Sequence, residues 1–177
     1  DNLGHTTFTP EVVHVDADFA RDHMDVALAG RAADIIFLGA PGAGAGSDII
    51  NANIVARAMY NSTGIMGDHT GTVYIYDDER PQELRDLEKQ EVDASMARAL
   101  AFVRANKDLI KVLAEEVLLQ PEKDNAHTLT KEAMVTFMRG RKVVASPLDA
   151  AGCPACHRAL PLYFRPALCS SSLWHDS

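Results

Sequence analysis

Basic residues are scarce in this chain, aromatic residues are few, and no cysteine occurs in its first 152 positions. Lys and Arg number 17 against 25 Asp and Glu, for a formal net charge of -8. No basic face emerges, which excludes duplex nucleic acid and anionic membrane surfaces as natural partner classes. No apolar run approaches the length of a membrane span, and the longest, such as residues 35–38, are core-sized. The three cysteines, Cys153, Cys156 and Cys169, lie in the last quarter, so the main body is not a disulfide scaffold. The start, Asp1-Asn2-Leu3, lacks Met, a basic region and a cleavage site, and an internal or processed start is expected. What is present is 47% hydrophobic residues over 177 positions. That is too apolar for a disordered chain and long enough for one domain with a real core.

The pattern along the chain is mainly helical. Residues 3–8 combine β-branched and aromatic side chains before Pro10, as in a short edge strand. From Asp18 to about Leu38, Phe19, His23, Val26, Ala27, Gly30, Ala33 and Phe37 recur at helical steps. Residues 39–46 form a Gly/Ala-rich loop around Pro41. Ser47 and Asp48 suit the cap of a helix reaching about Tyr60. Residues 61–72 read as loop and 73–76 as a short strand. A long helix is predicted from Pro81, with Leu84, Leu87, Val92, Met96, Leu100 and Val103 on its apolar face. Asn106 marks a break, after which Ile110, Leu113 and Val117 continue the face. A turn at 121–125 and a last helix capped by Thr130 complete a domain ending near 140. Residues 141–177, with closely spaced prolines, read as a tail with incomplete order.

The glycine-rich loop is not a phosphate cradle. A P-loop needs Lys and then Ser or Thr after its second glycine, and Ala45 and Gly46 stand there instead. The dinucleotide fingerprint fails as well, because a long helix rather than a strand precedes the loop. A flexible connector is the simpler reading. The acidic residues Asp77, Asp78, Glu79, Glu83, Asp86 and Glu88 read as a solvated helix start favoured by the macrodipole.

Several segments, taken in order, resemble one family. Leu3-Gly4-His5-Thr6, Gly30-Arg31-Ala32-Ala33-Asp34, Gly44-Ala45-Gly46-Ser47-Asp48-Ile49, Ala56-Arg57-Ala58-Met59 and Gly64-Ile65-Met66-Gly67 are carried in sequence over about residues 3–139. They are similar to the L-G-x-T strand, the G-R-A-A-E helix, the G-A-x-x-D turn, and the A-R-x-M helix and G-M loop of FtsH-type peptidase domains. The resemblance implies a mainly α, bundle-like peptidase domain with a small β element. It also implies a zinc endopeptidase driven by an ATPase module, hexameric and membrane-anchored, acting on unfolded proteins in quality control.

In that family H-E-x-x-H supplies two histidine ligands and a glutamate base, since one helical turn puts both histidines on one metal ion. The motif does not occur in these 177 residues, nor does an ATPase module. The catalytic base and the zinc-binding helix are therefore expected upstream of Asp1, and ATP is expected to act only through an ATPase module that these residues do not include. The resemblance makes Asp48 the third zinc ligand, whereas the residues alone allow a helix cap. Asp34, where the family has Glu, is expected to support the metal site through its neighbours. Leu3, Gly4, His5 and Thr6 are expected either to accept an extended substrate at the strand edge or to be an ordinary edge strand. The competing reading is an inactive pseudo-peptidase serving as an assembly or adaptor subunit. His14 and His23 lack the four-residue spacing that would rebuild a site, and His5, His69 and His127 fall in or near loops. In the tail, Cys153, Cys156, His157 and Cys169 leave open no cofactor, a zinc module, or haem attachment through C-x-x-C-H.

Overall fold

A computed structural model describes residues 15–66, 80–120, 122–123 and 126–144. These residues are mostly helical, and they divide between Ala101 and Phe102 into two compact units.

In the first unit, helix α1 (Ala17–Ala33) starts at Asp16, whose carboxylate accepts the Phe19 N–H at 2.8 Å. That bond satisfies one of the amides a helix start leaves open. The buried stripe of α1 is Ala20, Met24, Leu28 and Ala32, at strict four-residue steps. It lies one position away from the predicted series, of which His23, Gly30 and Phe37 are exposed. Two neighbouring stripes fit a three-and-four-step template equally well, and only packing against the next helix selects between them. The predicted continuation to Leu38 is a wide turn, Asp34–Leu38, rather than regular α-helix. It stops at Gly39, where φ is 81°, a left-handed conformation that favours glycine.

A short 3₁₀ turn, Ala43–Ala45, leads directly into helix α2 (Gly46–Arg57). The expected capping by Ser47 or Asp48 does not occur. Ala45 holds the cap position without a side-chain bond, and the Gly46 N–H bonds to Ala43 O, so the preceding turn serves as the cap. Ala52 and Ala56 form the buried side of α2, and Met59 and Asn61 are buried in the wide turn Ala58–Ser62 that follows. Small residues on α2 let its backbone come close to α1.

Helix α3 (Gln82–Ala105) crosses the division between the units. Within the first unit it buries Ser95 and Ala99, while Leu87, expected in the core, is exposed. Two ion pairs tie it to α1: Arg21 Nε to Glu91 at 2.6 Å and Arg98 Nε to Asp25 at 2.8 Å. The pairs advance together along both sequences, so α1 and α3 run in the same sense.

In the second unit, Asn106 ends α3, as its sequence position suggests, and helix α4 (Lys107–Leu119) follows. The break is mild, because Asn106 N–H still bonds Phe102 O and Ile110 N–H bonds Asn106 O. Where a turn is predicted at 121–125, two short strands pair antiparallel: β1 (Glu122–Lys123) and β2 (Ala126–His127). Helix α5 (Lys131–Met138) is capped as predicted, Thr130 Oγ1 accepting the Ala133 N–H at 3.2 Å. Phe137 is buried, with the Arg141 guanidinium 3.9 Å over its ring. Asn106 accepts the Val144 N–H and donates to Val144 O, both at 2.8 Å, in the manner of a neighbouring strand.

The strands expected at 3–8 and 73–76 lie outside the described residues. Among the described residues, no helix is long and apolar enough to cross a membrane.

Candidate functional site

Each of the two carboxylates singled out in the sequence, Asp34 after α1 and Asp48 at the start of α2, lies beside a glycine. Asp48 stands in the first turn of α2, half-buried. A carboxylate there is favoured by the partial positive charge of the helix start, whatever else it does. Its Oδ2 lies 3.8 Å from the point where a Cβ on Gly30 would be, so the carboxylate faces bare α1 backbone. Asp34 follows the last regular residue of α1, and its Oδ2 accepts the Gly42 N–H at 3.0 Å. A Cβ on Gly42 would come within 2.8 Å of that same oxygen.

Leu3, Gly4, His5 and Thr6 lie outside the described residues, as do Cys153, Cys156, His157 and Cys169. His23 is exposed on α1. His127 Nδ1 lies 2.7 Å from Gln120 O, so that nitrogen carries the proton and donates. In the acidic stretch, Glu88 is held by Arg80 and Asp86 by Gln82, as befits a structural helix start.

A polar cluster that sequence reasoning missed surrounds Glu91. Its carboxylate takes Arg21 Nε at 2.6 Å and the Tyr60 hydroxyl at 3.2 Å, while Arg21 Nη2 reaches Met66 sulfur at 3.4 Å. The bond to Glu91 raises the Arg21 pKa further above its ordinary value. Burial, and then the charge of Glu91, raises that of Tyr60. Deeper along α1 and α3, Arg98 also donates to the buried Ser95 hydroxyl at 2.7 Å. The local signal was present, since Arg21 and Asp25 adjoin stripe positions Ala20 and Met24. Their partners, however, lie 70 and 73 residues away and carry no local trace.

A zinc ion takes at least three protein ligands in catalytic sites. Among the described residues no group of three or more His, Cys, Asp or Glu could hold a metal ion. Asp48 fits as one oxygen donor, half-buried and aimed past a glycine, and the remaining donors would have to come from other residues.

The profile of Peptidase family M41 matches residues 1–136. A protein of Akkermansia muciniphila described as "ATP-dependent zinc metalloprotease FtsH" is 32% identical over 136 residues, covering 66% of this chain and 17% of its own length. One of the same description from Chlamydia trachomatis serovar L2 is 28% identical over 137 residues, covering 66% of this chain and 15% of its own. The chain thus spans about one sixth of the length of the curated relatives it matches. No solved structure matches it. These similarities lend no support to the reading as an inactive adaptor subunit.

Proposed function

This chain belongs to Peptidase family M41, and from that premise we propose that it is part of the peptidase domain of an ATP-dependent zinc metalloendopeptidase. The observation that carries the proposal is the family match over residues 1–136 taken with the setting of Asp48. In the complete protein Asp48 would supply one carboxylate oxygen to zinc, alongside the two histidines that the family resemblance implies. Bound zinc would supply an activated water for attack on a peptide carbonyl.

The residues of this chain would do the holding and orienting. The start of α2 would hold the Asp48 carboxylate beside Gly30 of α1. Leu3, Gly4, His5 and Thr6 would pair their backbone with an extended, unfolded substrate, a recognition that tolerates many sequences. Assembly into hexamers and the use of ATP to deliver substrate are part of the same proposal, drawn from the resemblance.

The test is Asp48→Asn in the complete protein. Zinc content by elemental analysis and degradation of an unfolded substrate should both collapse, while the helical circular-dichroism signal persists. Unchanged zinc and unchanged degradation would overturn the assignment and leave Asp48 as a helix-start carboxylate.

A further inference from the structure

We propose that one side of α4 is a docking surface for residues 158–165 of this chain, Arg-Ala-Leu-Pro-Leu-Tyr-Phe-Arg. The proposal stands apart from the role given to Asp48.

Helix α4 is rich in apolar residues, yet none of its residues is buried. Leu109, Ile110, Leu113 and Val117 are half-buried, whereas Val112 is 45% and Leu119 78% exposed. Val112, Glu116 and Leu119 follow at steps of four and three, which sets them along one side of the helix. Glu116 also lines a groove of 460 Å³ between α4 and α5, with Glu132, Thr136, Phe137 and Arg141. The exposed apolar pair therefore borders a groove that contains the buried Phe137.

Charge decides what fits there. Arg141 is engaged with Phe137, lying 3.9 Å over its ring and donating to its carbonyl oxygen. Gln120 Nε2 donates to Glu116 Oε1 at 3.0 Å and steadies that carboxylate. Asp108 and Glu115, both exposed, stand one helical turn from Val112, and Glu115 stands one turn before Leu119. Acidic side chains thus frame the apolar pair, and the matching partner is an apolar segment with basic ends. Residues 158–165 have that chemistry: Leu160, Leu162, Tyr163 and Phe164 lie between Arg158 and Arg165. A second copy of α4 fits poorly, because a two-fold pairing would set these carboxylates against one another.

The connection is long enough. Two bonds to Asn106 fix Val144 at the start of α4. From there to Leu160 the chain can extend about 50 Å. Helix α4 is about 20 Å long, so the segment can reach any part of it.

The experiment treats the complete protein with trypsin and follows cleavage after Arg158 and Arg165 by mass spectrometry. Each rate is taken relative to a free peptide spanning residues 150–170, and amide hydrogen exchange of α4 is measured alongside. Docking should make both cleavages slower than in the peptide. Val112→Ser with Leu119→Ser should speed them by about 10-fold, equivalent to about 1.4 kcal/mol. Glu116→Lys with Glu132→Lys should also speed them. Leu162→Ser with Phe164→Ser leaves α4 untouched and should raise its amide exchange around Val112 and Leu119. Wild-type cleavage as fast as in the peptide, with α4 exchange unmoved by the Leu162 and Phe164 changes, would overturn the proposal. Slow cleavage that persists after Val112→Ser with Leu119→Ser would put the segment on another surface and overturn it too. Protection of α4 that grows with protein concentration would give the surface to a second copy, against the proposal. Should a variant of α4 not fold, the exchange of α4 with Leu162→Ser and Phe164→Ser decides.

Discussion

In the unit ending at Ala101 the buried side chains among the described residues are Ala20, Met24, Leu28, Ala32, Ala45, Ala52, Ala56, Met59 and Ala99, with the polar Asn61 and Ser95. Past that point, among the described residues, they are Val103, Phe137 and the polar Asn106. The first unit keeps its helices close by using alanine at the contacts and a few large side chains to fill the space. Charged pairs, Arg21 with Glu91 and Asp25 with Arg98, then clamp its rim. Among the described residues the second unit buries fewer apolar side chains, and an asparagine holds the returning chain by its backbone. Close packing suits the role proposed for this region, holding one carboxylate beside a helix. A hydrogen-bonded clip needs less core, and it depends on single partners.

Three substitutions test that contrast, beginning with the largest effect. Leu28→Ala removes a fully buried side chain from the tight unit and should cost about 3 kcal/mol, read from the urea midpoint. Amide hydrogen exchange should show the lost protection concentrated in α1 and α2. A uniform loss through α4 and α5 would break the distinction between the units. Asn106→Ala should cost about 1–3 kcal/mol, because the Val144 amide and carbonyl lose their bonds to the buried Asn106 side chain. Its signature is protection lost around Val144 and the start of α4, with α1 unchanged. Equal stability for Asn106→Ala and wild type would show that the clip is incidental.

The smallest effect belongs to Tyr60. Its phenol is held neutral beyond its ordinary pKa of 10.0, chiefly by burial and then by Glu91. Because the folded pKa is the raised one, the neutral phenol contributes stability below the unfolded value. That contribution is lost as pH rises through the folded value. Urea midpoints should therefore be insensitive to Tyr60 ionisation near neutrality and fall above about pH 10. Tyr60→Phe should cost about 1 kcal/mol at neutral pH, the net worth of one hydrogen bond, and should flatten the alkaline decline. An alkaline decline of equal size in both proteins would assign it to other groups.

Particular residues show where the sequence was legible. Thr130 was readable as a cap because its partner, Ala133, lies three positions on. The break at Asn106 was readable for the same reason, since it acts on the neighbouring turn. The stripe of α1 was displaced by one position, because helical spacing defines a periodicity and leaves the facing helix to choose its phase. The capping of α2 by Ser47 or Asp48 was misplaced, because a 3₁₀ turn, invisible in composition, had already supplied the cap. The Glu91 cluster was illegible because each of its bonds joins distant positions.

By itself the sequence determined that the chain is mainly helical, where most helices lie, and which family it belongs to. These follow from short-range periodicity and from ordered motifs, both written in neighbouring residues. Only the tertiary structure decided that Asp48 faces Gly30, that Asp34 holds Gly42, and that Arg21, Tyr60 and Glu91 meet. Those facts depend on the phase and spacing of packed helices. Packing fixes them through excluded volume and unpaired polar groups, which no single segment carries alone.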